Sequence, residues 1–228
     1  MRISVIIPAL NEEKTIVRVV EAIPTDLVDE IIVVDNGSTD ATVISAEQAG
    51  AQVVSEPRRG YGQACLTGIA HLNPKAEVVV FVDGDASDRP EEMSELVQPI
   101  LNGQADLVIG SRVLGTREPG ALTPQARFGN ALATFLIKGL YGVRYTDLGP
   151  FRAITWRALN QLDRADRDFG WTAEMQVKAA RLGLRSCELP VSYRKRREGS
   201  SKVAGSLRGA IFAGWKILTT ILRHVGRD

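Results

Sequence analysis

The sequence predicts an α/β domain: a mainly parallel, Rossmann-like sheet with helices on both faces. Three observations carry that prediction. Short β-branched runs alternate with segments of helical period through the first half of the chain. The runs are almost continuously apolar, as strands buried on both faces are. Polar and acidic residues crowd the positions just after each run, where such sheets bind ligands.

The elements follow in order. Residues 3–7, 31–34, 53–54 with their neighbours, 78–82 and 107–109 are runs rich in Val and Ile, residues that suit a pleated, buried surface. Between them, 15–22, 41–49, 62–71 and 91–101 repeat apolar residues at helical spacing. The second half is less regular. Residues 125–141 and 173–182 read as helices, 184–193 as a strand, 194–202 as a basic loop with Gly and Ser, and 207–225 as a final amphipathic helix. In that helix Leu207, Ala210, Ile211, Gly214, Trp215, Ile217, Leu218, Ile221 and Leu222 share a face. Arg208, Lys216, Arg223 and Arg227 lie towards the other, interrupted by Phe212. No repeat or Pro-rich linker divides the chain, so 1–205 is expected to form one domain. Residues 206–228 then form a C-terminal helix of that domain or a contact with a membrane surface.

Composition narrows the class. The 228 residues are 44% hydrophobic and 24% charged, which excludes collagen, coiled coil and low-complexity disorder. Cys65 and Cys187 stand alone, against a zinc site and for two buried thiols in a reducing compartment. No uncharged apolar run approaches the roughly 18 residues of a membrane span. The chain opens directly on a strand, so no signal peptide and a cytoplasmic location are expected. The net charge of +1 hides an asymmetry: from Arg181 to Asp228 there are 11 Lys/Arg and 3 Asp/Glu, or +8, against 17 and 24, or −7, before them. That points to an anionic partner for the C-terminal part. Nucleic acid is the poorer choice, because it leaves the acidic strand ends unexplained and the chain lacks aromatic stacking motifs.

Four strand ends carry the chemistry. They read Pro8-Ala9-Leu10-Asn11-Glu12-Glu13, Asp35-Asn36-Gly37-Ser38-Thr39-Asp40, Asp83-Gly84-Asp85 and Gly110-Ser111-Arg112. Ser38 or Asp40 alone would read as a helix cap; four such ends exceed what capping needs. Asp83 and Asp85 suit Mg²⁺ or Mn²⁺, hard cations that take oxygen ligands and leave positions for phosphate. Asp88, Glu91 and Glu92 read as capping and first-turn acids of the next helix. His71 and His224, near helix ends, carry no chemistry in this reading.

Residues 5–13, 33–40 and 82–85, in this order and spacing, resemble the nucleotide-sugar half of glycosyltransferase family 2, with its GT-A fold. The likeness extends to about Lys202. It is most similar to the branch that glycosylates polyprenyl (dolichol) phosphates, through Gly110-Ser111-Arg112, Asp147-Leu148-Gly149-Pro150-Phe151-Arg152-Ala153 and Arg196-Arg197-Glu198-Gly199-Ser200-Ser201-Lys202. A nucleotidyltransferase would instead open on a glycine-rich loop.

The resemblance implies a metal-dependent, inverting transfer of a sugar from a UDP- or GDP-sugar donor to a polyprenyl (lipid) phosphate, with a soluble hydroxyl acceptor as the alternative. Pro8, Leu10, Asn11 and Glu12 would border base and ribose, Asp35 would bond the base, and Gly60-Tyr61-Gly62 would match the glycine-rich stretch that approaches the nucleotide. Asp83 and Asp85 would serve ribose, metal and diphosphate. Arg112, Arg127, Arg196 and Lys202 would bind the acceptor phosphate. Ser87 stands where the branch carries Gln, and Leu148-Gly149-Pro150 replaces a Thr-Ser-Gly type of segment, which leaves the sugar open. Asp147 and Glu174 are the catalytic candidates: a base, a sugar-orienting acid, or a structural partner of Arg152. A phosphate acceptor needs no base, being ionised already; a hydroxyl does.

Overall fold

A computed structural model describes residues 1–163, 166–196 and 207–225. Its strands are β1 (Ile3–Ala9), β2 (Glu30–Asp35), β3 (Gln52–Ser55), β4 (Val78–Phe81), β5 (Leu107–Ser111), β6 (Arg152–Thr155) and β7 (Ser186–Pro190). They form one sheet in the order β3-β2-β1-β4-β6-β5-β7. All neighbours pair in parallel except β6, which runs antiparallel to β4 and β5. The helices are α1 (Ile16–Glu21), α2 (Thr42–Gln48), α3 (Tyr61–Ala70), α4 (Met93–Leu101), α5 (Pro124–Tyr141), α6 (Trp156–Gln161), α7 (Trp171–Arg181) and α8 (Leu207–Arg223).

Alternation along the strands divides the core in two. Ile6, Ile32, Val34, Val79 and Phe81 face α3, α5 and α7. Val5, Ile7, Val33, Val80 and Val82 face α1 and α4. Both faces are covered, which is why these strands read as unbroken apolar runs.

The predicted α/β architecture holds, and its main elements fall within a few residues of the expected bounds. β6 and α6 were not expected. The predicted strand 184–193 shortens to β7, with Tyr193 in an isolated bridge to Arg117. Cys65 is buried, whereas Cys187 is only half-buried. α8 packs on α5 and α7, with Ile221 fully buried and Trp215 and Leu222 exposed. The faces expected for Leu207, Arg208, Ala210, Ile211 and Phe212, and the placement of Arg227, lie outside the described side chains.

The direction of β6 shapes the ligand-binding edge. Because it runs against its neighbours, the loop that feeds it arrives at the same edge where β1, β2, β4 and β5 end. Residues 146–151 are thereby brought to the acidic strand ends.

Candidate active site

The turns after β1 and β2 are tied together by side-chain bonds. Asn11, held at φ +53°, donates its N–H to Ser38 Oγ at 2.9 Å, and its side-chain carbonyl accepts from the Thr39 N–H at 2.8 Å. The Glu12 N–H donates to Thr42 Oγ1. Asp35 is buried and accepts from the Ser38 N–H. Asn36, to which the sequence assigned no role, ties the turn after β2 to the loop between β3 and α3 by three bonds: it donates to the Glu56 and Arg58 carbonyls and accepts from the Gly60 N–H. Pro8 and Leu10 are half-buried at the same edge.

The Asp83-Gly84-Asp85 turn follows β4 directly. Thr15 Oγ1 donates to the Gly84 carbonyl at 2.9 Å, locking the turn to the start of α1. Asp85 accepts from the Ser87 N–H, with Ala86 between them at φ +57°, a left-handed conformation that strain-tolerant functional turns often hold. The Tyr61 hydroxyl donates to Asp83 Oδ1 at 2.9 Å. Burial, and then the charge of Asp85, push Asp83 up to about 7.

Asp88 is the surprise in this turn. It is 2% exposed, and neither carboxylate oxygen has a hydrogen-bond partner. It therefore caps nothing, contrary to the expectation from sequence; Glu91 and Glu92 do occupy a first turn. Burial, reinforced by Asp83, raises Asp88 well above the usual carboxylate range.

This donor set suits a divalent cation that arrives with phosphate. Among the described residues no three His, Cys, Asp or Glu side chains form a ready cage. Two strand-end carboxylates plus substrate oxygens are what Mg²⁺ or Mn²⁺ sites commonly use. Close-set buried acids, one with both oxygens unpartnered, are also a concentration of negative charge that a cation would relieve. Arg196 supplies some of that relief. Its guanidinium pairs with Glu12 and lies 3.2 Å from Asp85 Oδ2, joining the first and third acidic motifs. It thus stands on the donor side of the edge.

The loop before β6 is built just as firmly. Asp147 is fully buried and holds Arg112 through both carboxylate oxygens, at 2.8 and 2.7 Å, while accepting from the Arg112 N–H. Arg112 also stacks over the Tyr193 ring, 5.1 Å from its centroid. Glu188 accepts from the Thr146 and Asp147 N–H groups. Neither candidate acid partners Arg152. That buried guanidinium donates instead to the carbonyls of Leu148, Gly149 and Thr172 and to Gln176, and burial brings it down to about 10. Glu174 sits in the first turn of α7, 2% exposed, in an ion pair with Lys178 at 2.9 Å and accepting from the Asp166 N–H.

Two expectations shift. Gly62 is buried against the chain rather than open to a ligand: a Cβ there would meet the Asp166 carbonyl at 2.2 Å. Arg127 is exposed on the first turn of α5, and Lys202 lies outside the described residues. A cavity of about 320 Å³ opens among Arg2, Ser4, Asp29 and Glu30. It lies at the opposite edge, where strands begin, and holds none of these motifs.

Residues 4–163 match the family model described as glycosyl transferase family 2. An uncharacterised glycosyltransferase of Mycobacterium tuberculosis is 39% identical over 95% of this chain and 98% of its own length. The undecaprenyl-phosphate mannosyltransferase of Micrococcus luteus is 31% identical over 92% of this chain and 90% of its own. Among solved structures, glucosyl-3-phosphoglycerate synthase of M. tuberculosis, in complex with Mn²⁺, UDP-glucose and phosphoglyceric acid, superposes with a TM-score of 0.80. It shares 30% identity over 100% of this chain and 80% of that one. Likeness in sequence and in structure thus agree with the fold, and the chain belongs to glycosyl transferase family 2.

Proposed function

We propose that this enzyme transfers a hexose from a UDP- or GDP-sugar to a polyprenyl phosphate, using Mg²⁺ or Mn²⁺. One observation carries the choice of acceptor: neither candidate base is free. Asp147 is closed on both oxygens by Arg112, and Glu174 is buried against Lys178 and the Asp166 N–H. A hydroxyl attacker would need a carboxylate within reach; a phosphate brings its own charged oxygen. The undecaprenyl-phosphate mannosyltransferase of M. luteus, which matches along nearly its whole length, supports the same acceptor class.

In this reading Pro8, Leu10, Asn11 and Glu12 border the base and ribose, and Asp35 bonds the base. Asp83 and Asp85 hold the cation, which would offset charge building on the departing diphosphate. Arg112, fixed by Asp147 and Tyr193, presents its remaining N–H groups to the acceptor phosphate. Arg127, exposed on the first turn of α5, would add positive charge for the acceptor, whereas Arg196, paired with Glu12 and Asp85, serves the donor side instead. In-line attack at the anomeric carbon would invert its configuration.

A second reading keeps the donor chemistry and takes a soluble phosphorylated acceptor, favoured by the phosphoglyceric acid complex of the mycobacterial synthase. The deciding experiment supplies labelled UDP- and GDP-sugars with Mn²⁺ and one of three acceptors: polyprenyl phosphate, the corresponding polyprenol, or 3-phosphoglycerate. Product from polyprenyl phosphate alone is expected. Equal transfer to the polyprenol would overturn the phosphate reading, and transfer to phosphoglycerate alone would establish the soluble one.

A further inference from the structure

The first turn of α3 is held in an unusual way. Gly60 lies at φ +145°, and a Cβ on it would meet the Arg167 carbonyl at 2.2 Å. Gly62 is as tightly placed against Asp166. The two glycines let the backbone of residues 166–168 lie directly on the helix start. There it accepts the N–H groups of Gly62, at 3.2 Å, and Gln63, at 2.9 Å, donors that a helix N-terminus otherwise leaves unpaired. The 166–168 segment is itself anchored. Glu174 accepts the Asp166 N–H at 2.8 Å, and Thr220 of α8 donates to Asp166 Oδ2 at 3.1 Å.

What this arrangement fixes is Tyr61, the residue between the glycines. Its ring packs against the core beside α3. Its hydroxyl reaches across to the strand end of β4 and donates to Asp83 Oδ1. With Oδ1 engaged, the orientation of the carboxylate is set and Oδ2 is the oxygen left for a ligand. We propose that Tyr61 is a positioning residue: it orients Asp83 for the cation and nucleotide, and the glycine-flanked start of α3 exists to place it. This role rests on Asp83 being a ligand of the cation.

The test compares wild type, Tyr61→Phe and Tyr141→Phe by calorimetry with UDP and GDP in the presence of Mn²⁺, with thermal melts of each protein without ligand. Tyr141 provides the control because its hydroxyl donates to the Ile221 carbonyl in the α5–α8 contact, away from the acidic edge. Tyr61→Phe is expected to melt near wild type and to weaken Mn²⁺-dependent nucleotide binding by about 10–100-fold, the usual loss when a group orienting a metal ligand is removed. Tyr141→Phe should bind as wild type. In an Asp83→Asn background the further change to Tyr61→Phe should have almost no effect on binding, because the two act as one unit. Wild-type affinity in a folded Tyr61→Phe protein, or an undiminished loss in the Asp83→Asn background, overturns the positioning role. Absence of Mn²⁺-dependent nucleotide binding in wild type overturns the parent reading of Asp83 instead.

Discussion

Asp85 stands beyond the strand it follows, bonded to the Ser87 N–H and to Arg196 rather than packed in the core. Asp85→Asn should therefore cost on the order of 10²-fold or more in turnover, since a cation supplies several kcal/mol of charge stabilisation. Stability should fall by no more than about 1 kcal/mol, the order of a partly exposed ion pair. Sugar-transfer rates and thermal melts check the two halves, and full turnover in excess EDTA would remove the metal assignment altogether. Glu174→Gln should behave in the opposite sense. The ion pair to Lys178 is lost, so stability falls by about 1–3 kcal/mol, while transfer to a phosphate acceptor remains measurable. Loss of the roughly 10²–10⁴-fold associated with a general base, with donor binding intact, would restore Glu174 as one. The place of Asp83 and Asp85 at a strand end was legible in the sequence because both follow directly on the apolar run VVVFV. The bonds of Asn36, the reach of Tyr61 to Asp83 and the burial of Asp88 were not, since they come from partners, or the lack of them, far along the chain. Asp88 in particular looks like a cap when read locally, and only its burial without a partner shows otherwise.

At the scale of elements, strands buried on both faces announced themselves and β6 did not. It is four residues long, begins with Arg152, and belongs to a polar motif, so neither its length nor its pattern separates it from a loop. Its place is fixed instead by pairing with β4 and β5, contacts no local window contains. The end of the sheet near β7 carries a testable electrostatic lock. Asp106, just before β5, accepts from the Arg185 N–H and guanidinium at 3.0–3.1 Å, with Arg157 at 3.5 Å. The Arg185 hydrogen bonds hold its carboxyl below the ordinary value of 3.8. A lowered folded-state pKa gives stability that is present above the unfolded value and lost as pH falls through the folded one. Melting temperature should accordingly fall between about pH 5 and about pH 2, and less steeply in Arg185→Met than in wild type. Parallel slopes for the two proteins would show that the lock contributes nothing.

Across the whole molecule, the amphipathic character of α8 was legible, but the neighbour that completes its surface was not. α5 packs beside α8 and leaves Phe128 and Phe135 71% exposed, with Trp215 at 60% on α8 in the same two-helix layer. Neither helix contains an acid, and together they carry Arg127, Lys138, Arg208, Lys216 and Arg223. Exposed aromatics among cations are the composition of a surface that meets an anionic bilayer. No described helix is long and apolar enough to cross a membrane. The layer is also joined to the candidate site, because Asn130 of α5 bonds the Thr146 carbonyl and the Leu148 N–H on either side of Asp147. Removing α8 is a poor test, since Ile221 is buried and Thr220 anchors Asp166. Point changes on α5 avoid that damage. Phe128→Glu with Phe135→Glu should leave the melting temperature near wild type, because both rings are already in solvent. Co-sedimentation with vesicles rich in anionic lipid should fall by at least about 10-fold, since each phenyl contributes about 1.5–3 kcal/mol when fully buried. Binding to neutral vesicles should be weak in both proteins. Equal sedimentation of wild type and double variant would free this layer of any membrane role, and a shift from dimer to monomer in solution would assign it to a second copy of the chain.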